Sequence, residues 1–331
     1  MNASTTFRAF RIRNDTTGYK AGIEPMQTDD LSPGEVLVKV AFSSVNYKDA
    51  LAGTGTGKIL RKFPLNGGID VAGYVAASTD PAFKEGDQVL CTGCGLSETR
   101  DGGYAEYARL QAKWTIPLPV GLTLRESMIL GTAGFTAALS LYRMQQNGQT
   151  PEMGPIVVTG ATGGVGSLAI DMLTSAGYEA HAISGKLEHF DDLIALGATQ
   201  CISRKDLYWG QRPLETSRWA GAIDNVGGDM LAGLTRVIHP YGNIASCGNA
   251  ASIDLQSTVM PFIIRGVSLL GIASAGTARD IRDAVWQHLA TDWHPVHLDR
   301  IATREVTLAE LPAVFDTMLA GDSFGRTVVK L

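Results

Sequence analysis

Residues Ile156-Val157-Val158-Thr159-Gly160-Ala161-Thr162-Gly163-Gly164-Val165-Gly166-Ser167 read as a buried strand passing through a glycine turn into a helix. Glycine supplies 38 of the 331 residues, so the glycine spacing alone signals little. Context gives it weight, because an apolar β-branched run precedes it and Ser167 to Leu173 continues at helical period up to a stop at Gly177. A strand, turn and helix of this kind form a dinucleotide cradle. Glycines 160, 163 and 166 let the chain turn tightly, approach a pyrophosphate and pack helix on strand, while Thr162, Gly163, Gly164 and Val165 present the turn and the first helical N–H groups to the phosphates.

The next strand, Glu179 to Ile183, decides which dinucleotide fits. A site for NAD places Asp or Glu about 20 residues past the glycines to bind the ribose 2′-OH. Here the strand ends in Ser184-Gly185-Lys186, and Arg204 follows the expected neighbouring strand Gln200 to Ser203. A hydroxyl, a glycine and two cations suit a 2′-phosphate that a carboxylate would repel. Ser184, Gly185, Lys186 and Arg204 are therefore read as a pocket selecting NADPH. Lys186 and Arg204 are also open to reading as solvated surface charges, and Glu188 beyond the turn competes for the ribose.

Composition narrows the function. A chain of this length, 45% hydrophobic and 18% charged, suits a globular protein of two domains. The net charge of −5 and the lack of a Lys/Arg stripe give no electrostatic basis for binding nucleic acid. No run reaches a membrane span, and Met1 to Phe10 lacks the apolar core of a signal peptide. Arg8, Arg11 and Arg13 faintly suggest a transit peptide, but the alternation Phe7 to Ile12 reads as a first strand. Cysteines 91, 94, 201 and 247 show no disulfide framework, so the expected location is the cytoplasm.

Up to about residue 120 short strands such as Val36 to Ala41 and Gly73 to Ala77 are broken by Gly and Pro. From Leu124 strands alternate with helices, at Ile156 to Thr159, Ala180 to Ile183, Ala220 to Asp224, Gly242 to Cys247 and Val267 to Ile272, the pattern of a doubly wound parallel sheet. After a helix at Leu308 to Leu319, Arg326 to Leu331 reverts to β and is expected to return to the first domain. Ligands of such a sheet lie at strand carboxyl ends, which adds Val226, Gly248, Asn249 and Ser274 as cofactor contacts.

The motifs Val45-Asn46-Tyr47-Lys48-Asp49-Ala50-Leu51, Gly57-Lys58-Ile59, Gly68-Ile69-Asp70, Gly131-Thr132-Ala133-Gly134, Val158-Thr159-Gly160-Ala161, Ser184-Gly185-Lys186 and Val259-Met260-Pro261-Phe262 occur in that order. Over its whole length the chain resembles the medium-chain dehydrogenase/reductase superfamily, and within it the NADPH-dependent acrylyl-CoA reductase, quinone oxidoreductase-like subfamily. The resemblance implies an α/β chain with a discontinuous β-rich GroES-like catalytic domain over 1–124 and 298–331, and a Rossmann NADPH-binding domain over 125–297. It implies hydride transfer from NADPH to the β-carbon of a short 2-enoyl-CoA, acryloyl-CoA to propanoyl-CoA, with a proton added at the α-carbon. It also places Thr132 near the nicotinamide and pairs the strand Val267 to Ile272 across a two-fold axis, giving a homodimer. An NADPH:quinone oxidoreductase is the nearest alternative, and a non-catalytic NADPH-binding structural protein is one of another class.

Zinc-dependent members of the superfamily take a thiolate and an imidazole from the first domain. This chain has Asn46 and Ile69 at those positions and all six histidines after residue 180, so no metal is expected. Cys91 and Cys94 are too few for a structural zinc lobe and read as structural, with redox activity or a partial metal site as the alternative. Hydride addition to an enoyl thioester creates an enolate, which needs donors already in place. By its position, Asn46 is expected to face the nicotinamide cleft in a catalytic or positioning role, or else to be a buried structural amide. Tyr47 is a candidate proton donor and, more simply, a cofactor contact. Asp70 and Lys58 are weaker candidates for the same chemistry, since each reads equally as a member of a local salt bridge. Lys58, Arg61 and Lys62 read as a solvated loop or as a seat for the coenzyme A diphosphate.

Overall fold

The computed structural model describes residues 4–331. The chain forms two compact units. The first runs to Thr132 and includes Ala275–Asp283 and Ala302–Leu331, and the second comprises Ala133–Ser274 and Ala284–Ile301. Among the described residues no helix is long and apolar enough to cross a membrane.

The second unit is built on six parallel strands in the spatial order Ala198–Ser203, Ala180–Ser184, Ile156–Thr159, Trp219–Asp224, Ile238–Ser246 and Ser268–Gly271. All four residues of Ile156–Thr159 are buried, as a central strand covered on both faces requires. Helix Gly164–Ser175 follows and buries Leu168, Ala169, Ile170, Met172 and Leu173. Numbered by their place in the chain, the strands lie in the order 3-2-1-4-5-6. The winding therefore reverses between Ile156–Thr159 and Trp219–Asp224, and the carboxyl ends of these two strands form the switch point where such sheets hold ligands. The fifth strand starts at Ile238, earlier than its apolar run suggests. Its register against the fourth shifts after Ile238, with Tyr241 at φ 64 inside the irregular stretch.

The first unit contains a sheet following the path Ala302–Val306, Arg326–Lys330, Val36–Ser44, Asp70–Ser78, Gln88–Thr92 and Ile116–Pro117, with Tyr107–Leu110 also paired to Val36–Ser44. A smaller sheet joins Gly18–Gln27, Thr6–Asp15 and Leu65–Asn66. Strand Arg326–Lys330 pairs antiparallel with Val36–Ser44, setting Val328 opposite Ser44. That register brings the carboxyl-terminal strand beside the turn that starts helix Tyr47–Thr54. Phe10, Tyr104 and Phe315 pack their rings together in the core beneath.

Candidate active site

In the second unit the cradle is built from backbone. Gly160 takes φ 58, a left-handed conformation that costs glycine little, and Gly163 caps helix Gly164–Ser175 in extended geometry. A Cβ on Gly166 would lie 2.4 Å from the Gly160 carbonyl oxygen and 2.7 Å from Ala161 Cα, so only glycine lets the helix approach the strand. Gly164 and Val165 occupy the first helical turn, whose N–H groups lack intrahelical acceptors. Thr162 is buried and shares a 3.1 Å hydrogen bond with the Ser184 hydroxyl.

Ser184 organises the neighbouring strand end. Its hydroxyl accepts the Lys186 N–H at 3.1 Å and its carbonyl accepts the Arg204 N–H at 2.9 Å. A Cβ on Gly185 would lie 2.7 Å from Arg204 Nε, so this glycine lets the guanidinium cross the turn. Ser184, Gly185, Lys186 and Arg204 thus form one cluster, and Glu188 is exposed in the following turn Leu187–His189.

Across the switch point, buried Asp224 holds the facing loop. It accepts the Thr159 hydroxyl at 2.7 Å and the Gly227 N–H at 2.9 Å, while Asn225 returns its side-chain amide to the Thr159 carbonyl at 2.8 Å. Burial pushes the Asp224 carboxyl up, and those two donors pull it down. Val226 is therefore set beside Gly160, 3.4 Å from where a Cβ would stand. Gly248 packs on the Asn225 carbonyl and Asn249 lies against Gly227, and the two loops are joined by the Ala251 N–H on the Val226 carbonyl at 2.9 Å. Ser274 begins the 3-10 turn Ser274–Gly276. Sequence reasoning missed Asp224 and Thr159 as the groups fixing this loop; an acid ending an apolar strand was the available signal.

In the first unit Asn46 precedes helix Tyr47–Thr54, and Asp49 closes a capping box by accepting the Asn46 N–H at 2.9 Å. The Asn46 side-chain nitrogen donates to Asp70 Oδ2 at 2.8 Å and Asp49 Oδ2 at 3.1 Å, and its oxygen accepts Arg326 Nη1 at 3.2 Å. Two carboxylates on one side and a guanidinium on the other leave a single amide orientation. Both side-chain amide hydrogens of Asn46, the first donor that the sequence offers to an enolate, are thus engaged within the protein. Asp70 also accepts the Ser44 hydroxyl at 2.6 Å, the Thr132 N–H at 2.9 Å and the Thr132 hydroxyl at 2.6 Å. Arg326, 3% exposed, donates to the carbonyls of Ile129 and Val45 and to the Ser44 hydroxyl. Gly131, at φ 51 within Leu124–Gln146, breaks that helix at the point where a Cβ would meet Asp70 Oδ2 and Ser44 Oγ at 2.6 Å each. Tyr47 heads its helix half-exposed. Lys58, Arg61 and Lys62 are exposed beyond it.

Burial, reinforced by the Asp70 charge, pushes the Asp49 carboxyl up to about 7, while the donors at Asn46 and Ile69 pull it down. The folded state therefore holds this proton more tightly than the unfolded chain does. The resulting stability is full below the ordinary carboxylate range and is lost as pH rises to about 7, by at most about 1.4 kcal/mol per pH unit. Asp49→Asn is expected to flatten that decline, read as melting temperature from pH 5 to pH 8; parallel curves for the two proteins would refute it.

Cys91 is buried and Cys94 partly so, and both are free. The neighbouring Cys94 sulfur, more than burial, pushes Cys91 up. The Cys91 thiol beside it, with the charges of Arg282 and Arg279, pushes Cys94 down.

Comparison with known proteins agrees with this architecture. Residues 32–120 match the family described as alcohol dehydrogenase GroES-like domain, and residues 164–291 match that described as zinc-binding dehydrogenase. The chain is 46% identical to the putative quinone oxidoreductase YhfP of Bacillus subtilis, covering 99% of this chain and 100% of that one. It is 44% identical to the probable acrylyl-CoA reductase AcuI of Escherichia coli, covering 94% and 95%. The yhdH oxidoreductase of Salmonella enterica, solved in complex with NADP, superposes with a TM-score of 0.94 at 43% identity over 98% of this chain and 99% of that one.

The zinc that one family description implies does not fit the residues present. Asn46 is locked between two carboxylates and a guanidinium, Ile69 is apolar and buried, and the Arg326 charge would repel a cation. Among the described residues no group of three or more His, Cys, Asp or Glu is arranged to hold a metal. The chain belongs to the medium-chain dehydrogenase/reductase superfamily, in the zinc-independent branch that holds the acrylyl-CoA reductases and quinone oxidoreductase-like proteins.

Proposed function

We propose that the protein reduces a short 2-enoyl-CoA thioester, acryloyl-CoA to propanoyl-CoA, with NADPH. The observation that carries this reading is the buried Asn46–Asp49–Asp70–Arg326 network, which offers a metal ion neither a thiolate nor an imidazole and so suits hydride addition to an activated alkene without a Lewis acid. Near-full-length likeness to proteins named acrylyl-CoA reductase supports the substrate class. When bound, NADPH supplies a hydride to the β-carbon. The chain's own part is to orient and to donate. Asp70 fixes the Thr132 hydroxyl, Asn46 sets the turn from which Tyr47 projects, and the Tyr47 hydroxyl is left to approach the thioester carbonyl or the cofactor. The cradle of Gly160, Thr162, Gly163, Gly164, Val165 and Gly166 takes the pyrophosphate, and Val226, Gly248, Asn249 and Ser274 complete the cofactor contacts.

Comparing NADPH oxidation with acryloyl-CoA, crotonyl-CoA and a benzoquinone tests the reading. A far higher kcat/KM for acryloyl-CoA is expected. Turnover of the quinone alone would favour the second reading, suggested by the name of the Bacillus protein, and turnover of none would favour a non-catalytic binder.

The Ser184, Gly185, Lys186 and Arg204 cluster supports NADPH over NADH, although the Bacillus relative was solved with NAD bound. Charge-assisted hydrogen bonds contribute about 1.5–3 kcal/mol, so Lys186→Ala or Arg204→Ala is expected to erode the NADPH/NADH ratio of kcat/KM by roughly tenfold or more at low salt. Equal ratios in variant and unmodified protein would remove these residues from the pocket.

A homodimer fits the open edge of the six-stranded sheet. Among the described residues strand Ser268–Gly271 has no outer neighbour, and Val259, Ile263 and Ile264 just before it in the chain and Leu269 on it stand exposed, an edge suited to antiparallel pairing with a second copy. Light scattering should give a dimer for the unmodified chain and a monomer for Ile263→Glu/Leu269→Lys; a monomer for both would contradict it. Four free thiols suit a cytoplasmic location.

A further inference from the structure

We propose that the loop Thr54 to Lys62 of the first unit is the seat of the phosphate-bearing end of coenzyme A, with Lys58, Arg61 and Lys62 as its cations. This rests on the thioester reductase reading above. Coenzyme A carries a diphosphate and a 3′-phosphate monoester, and a protein of net charge −5 repels such a ligand everywhere except at a local excess of cations. From Ala50 to Ile69 the chain contains no Asp or Glu, while it contains these three cations. All three are exposed, and none forms an ion pair among the described residues. Glu98, which the fold brings against the loop, is already neutralised. Glu98 accepts the Arg61 N–H through its backbone carbonyl at 2.8 Å, but its carboxylate is held by Lys48 Nζ at 2.6 Å.

The run Gly53-Thr54-Gly55-Thr56-Gly57-Lys58 supplies the rest of an anion seat. Gly55 turns the chain out of helix Tyr47–Thr54 at φ 75, and the hydroxyls of Thr54 and Thr56 lie 2.9 Å apart beside it. The loop then folds back on the helix. Gly57 donates its N–H to the Leu51 carbonyl at 3.3 Å, and a Cβ there would stand 2.9 Å from Leu51 Cβ. Leu51 lies four residues after Tyr47 and hence on the same helix face. The cation-bearing loop is thus anchored on the helix that Tyr47, the phenol assigned to the thioester end, heads.

The test compares acryloyl-CoA with S-acryloyl-N-acetylcysteamine, which keeps the thioester and lacks every phosphate, in the unmodified protein and in Lys58→Gln/Arg61→Gln/Lys62→Gln. The variant is expected to raise KM for acryloyl-CoA by roughly tenfold or more at low salt and to move KM for the truncated thioester far less. The rise should shrink as ionic strength increases. Equal shifts for both thioesters, or no shift for acryloyl-CoA, would overturn the assignment. If the unmodified protein reduces neither thioester, the reductase reading fails by itself. Calorimetry with free coenzyme A on the NADPH-loaded protein then decides the loop: weaker binding by the variant supports the seat, and equal binding or none by either protein overturns it.

Discussion

Replacing Arg326 with leucine is expected to lower the melting temperature by roughly 10 °C, from a stability loss of about 3–5 kcal/mol. The guanidinium is buried and donates to four acceptors, at Ile129, Val45, Asn46 and Ser44. Its charge also opposes those of Asp49 and Asp70, which lie in the same dry network. Leucine fills much of the space but leaves Asp70, and Asp49 whenever it is ionised, without a counter-charge and several acceptors without donors. Arg326→Lys restores the charge without the planar fork and is expected to recover only part of the loss. Thermal denaturation checks both variants, and a leucine variant melting within about 2 °C of the unmodified protein would show that the network carries far less than this.

Gly166→Val is expected to weaken NADPH binding about a hundredfold or more, equivalent to roughly 2.7 kcal/mol. The added Cβ would press on backbone of both Gly160 and Ala161, so no rotamer change relieves it and the helix must move off the strand. The first helical turn and its N–H groups would then no longer meet the pyrophosphate. Gly22→Ala is a suitable control, because a Cβ there meets nothing within 4 Å. Fluorescence titration with NADPH measures both; unchanged affinity for Gly166→Val would mean that the cradle is not where the dinucleotide sits.

The second unit was legible in the sequence because its signals are local. Ile156–Thr159 is a continuous apolar run that ends on glycine, and every strand expected in that half is present, including Ala198–Ser203 with Arg204 just beyond it. Boundaries were less legible. Ile238–Ser246 starts before its apolar segment, since His239, Pro240 and Tyr241 carry no strand signal and enter the strand through a register shift.

The first unit's buried network was scarcely readable, for a physical reason. In the sequence Asp70 reads as a local ion pair and Arg326 as part of a terminal strand, because a charge shows itself as buried only through partners brought from elsewhere. Ser44, Asn46, Asp70, Thr132 and Arg326 meet only once antiparallel pairing of Arg326–Lys330 with Val36–Ser44 has formed. Asn46 was found by position, but the engagement of both its amide hydrogens required Asp49 and Asp70 in place. Gly131 was seen within a motif, yet its need for glycine appears only with Asp70 and Ser44 packed against it.

Tracing the hydride tests the central claim most directly. With acryloyl-CoA and NADPH deuterated on either face of C4 in separate reactions, one of the two reactions should yield propanoyl-CoA carrying deuterium at the β-carbon, with the α-hydrogen drawn from solvent. NADPH oxidation without propanoyl-CoA, or deuterium delivered to the α-carbon, would contradict hydride addition to an enoyl thioester by this protein.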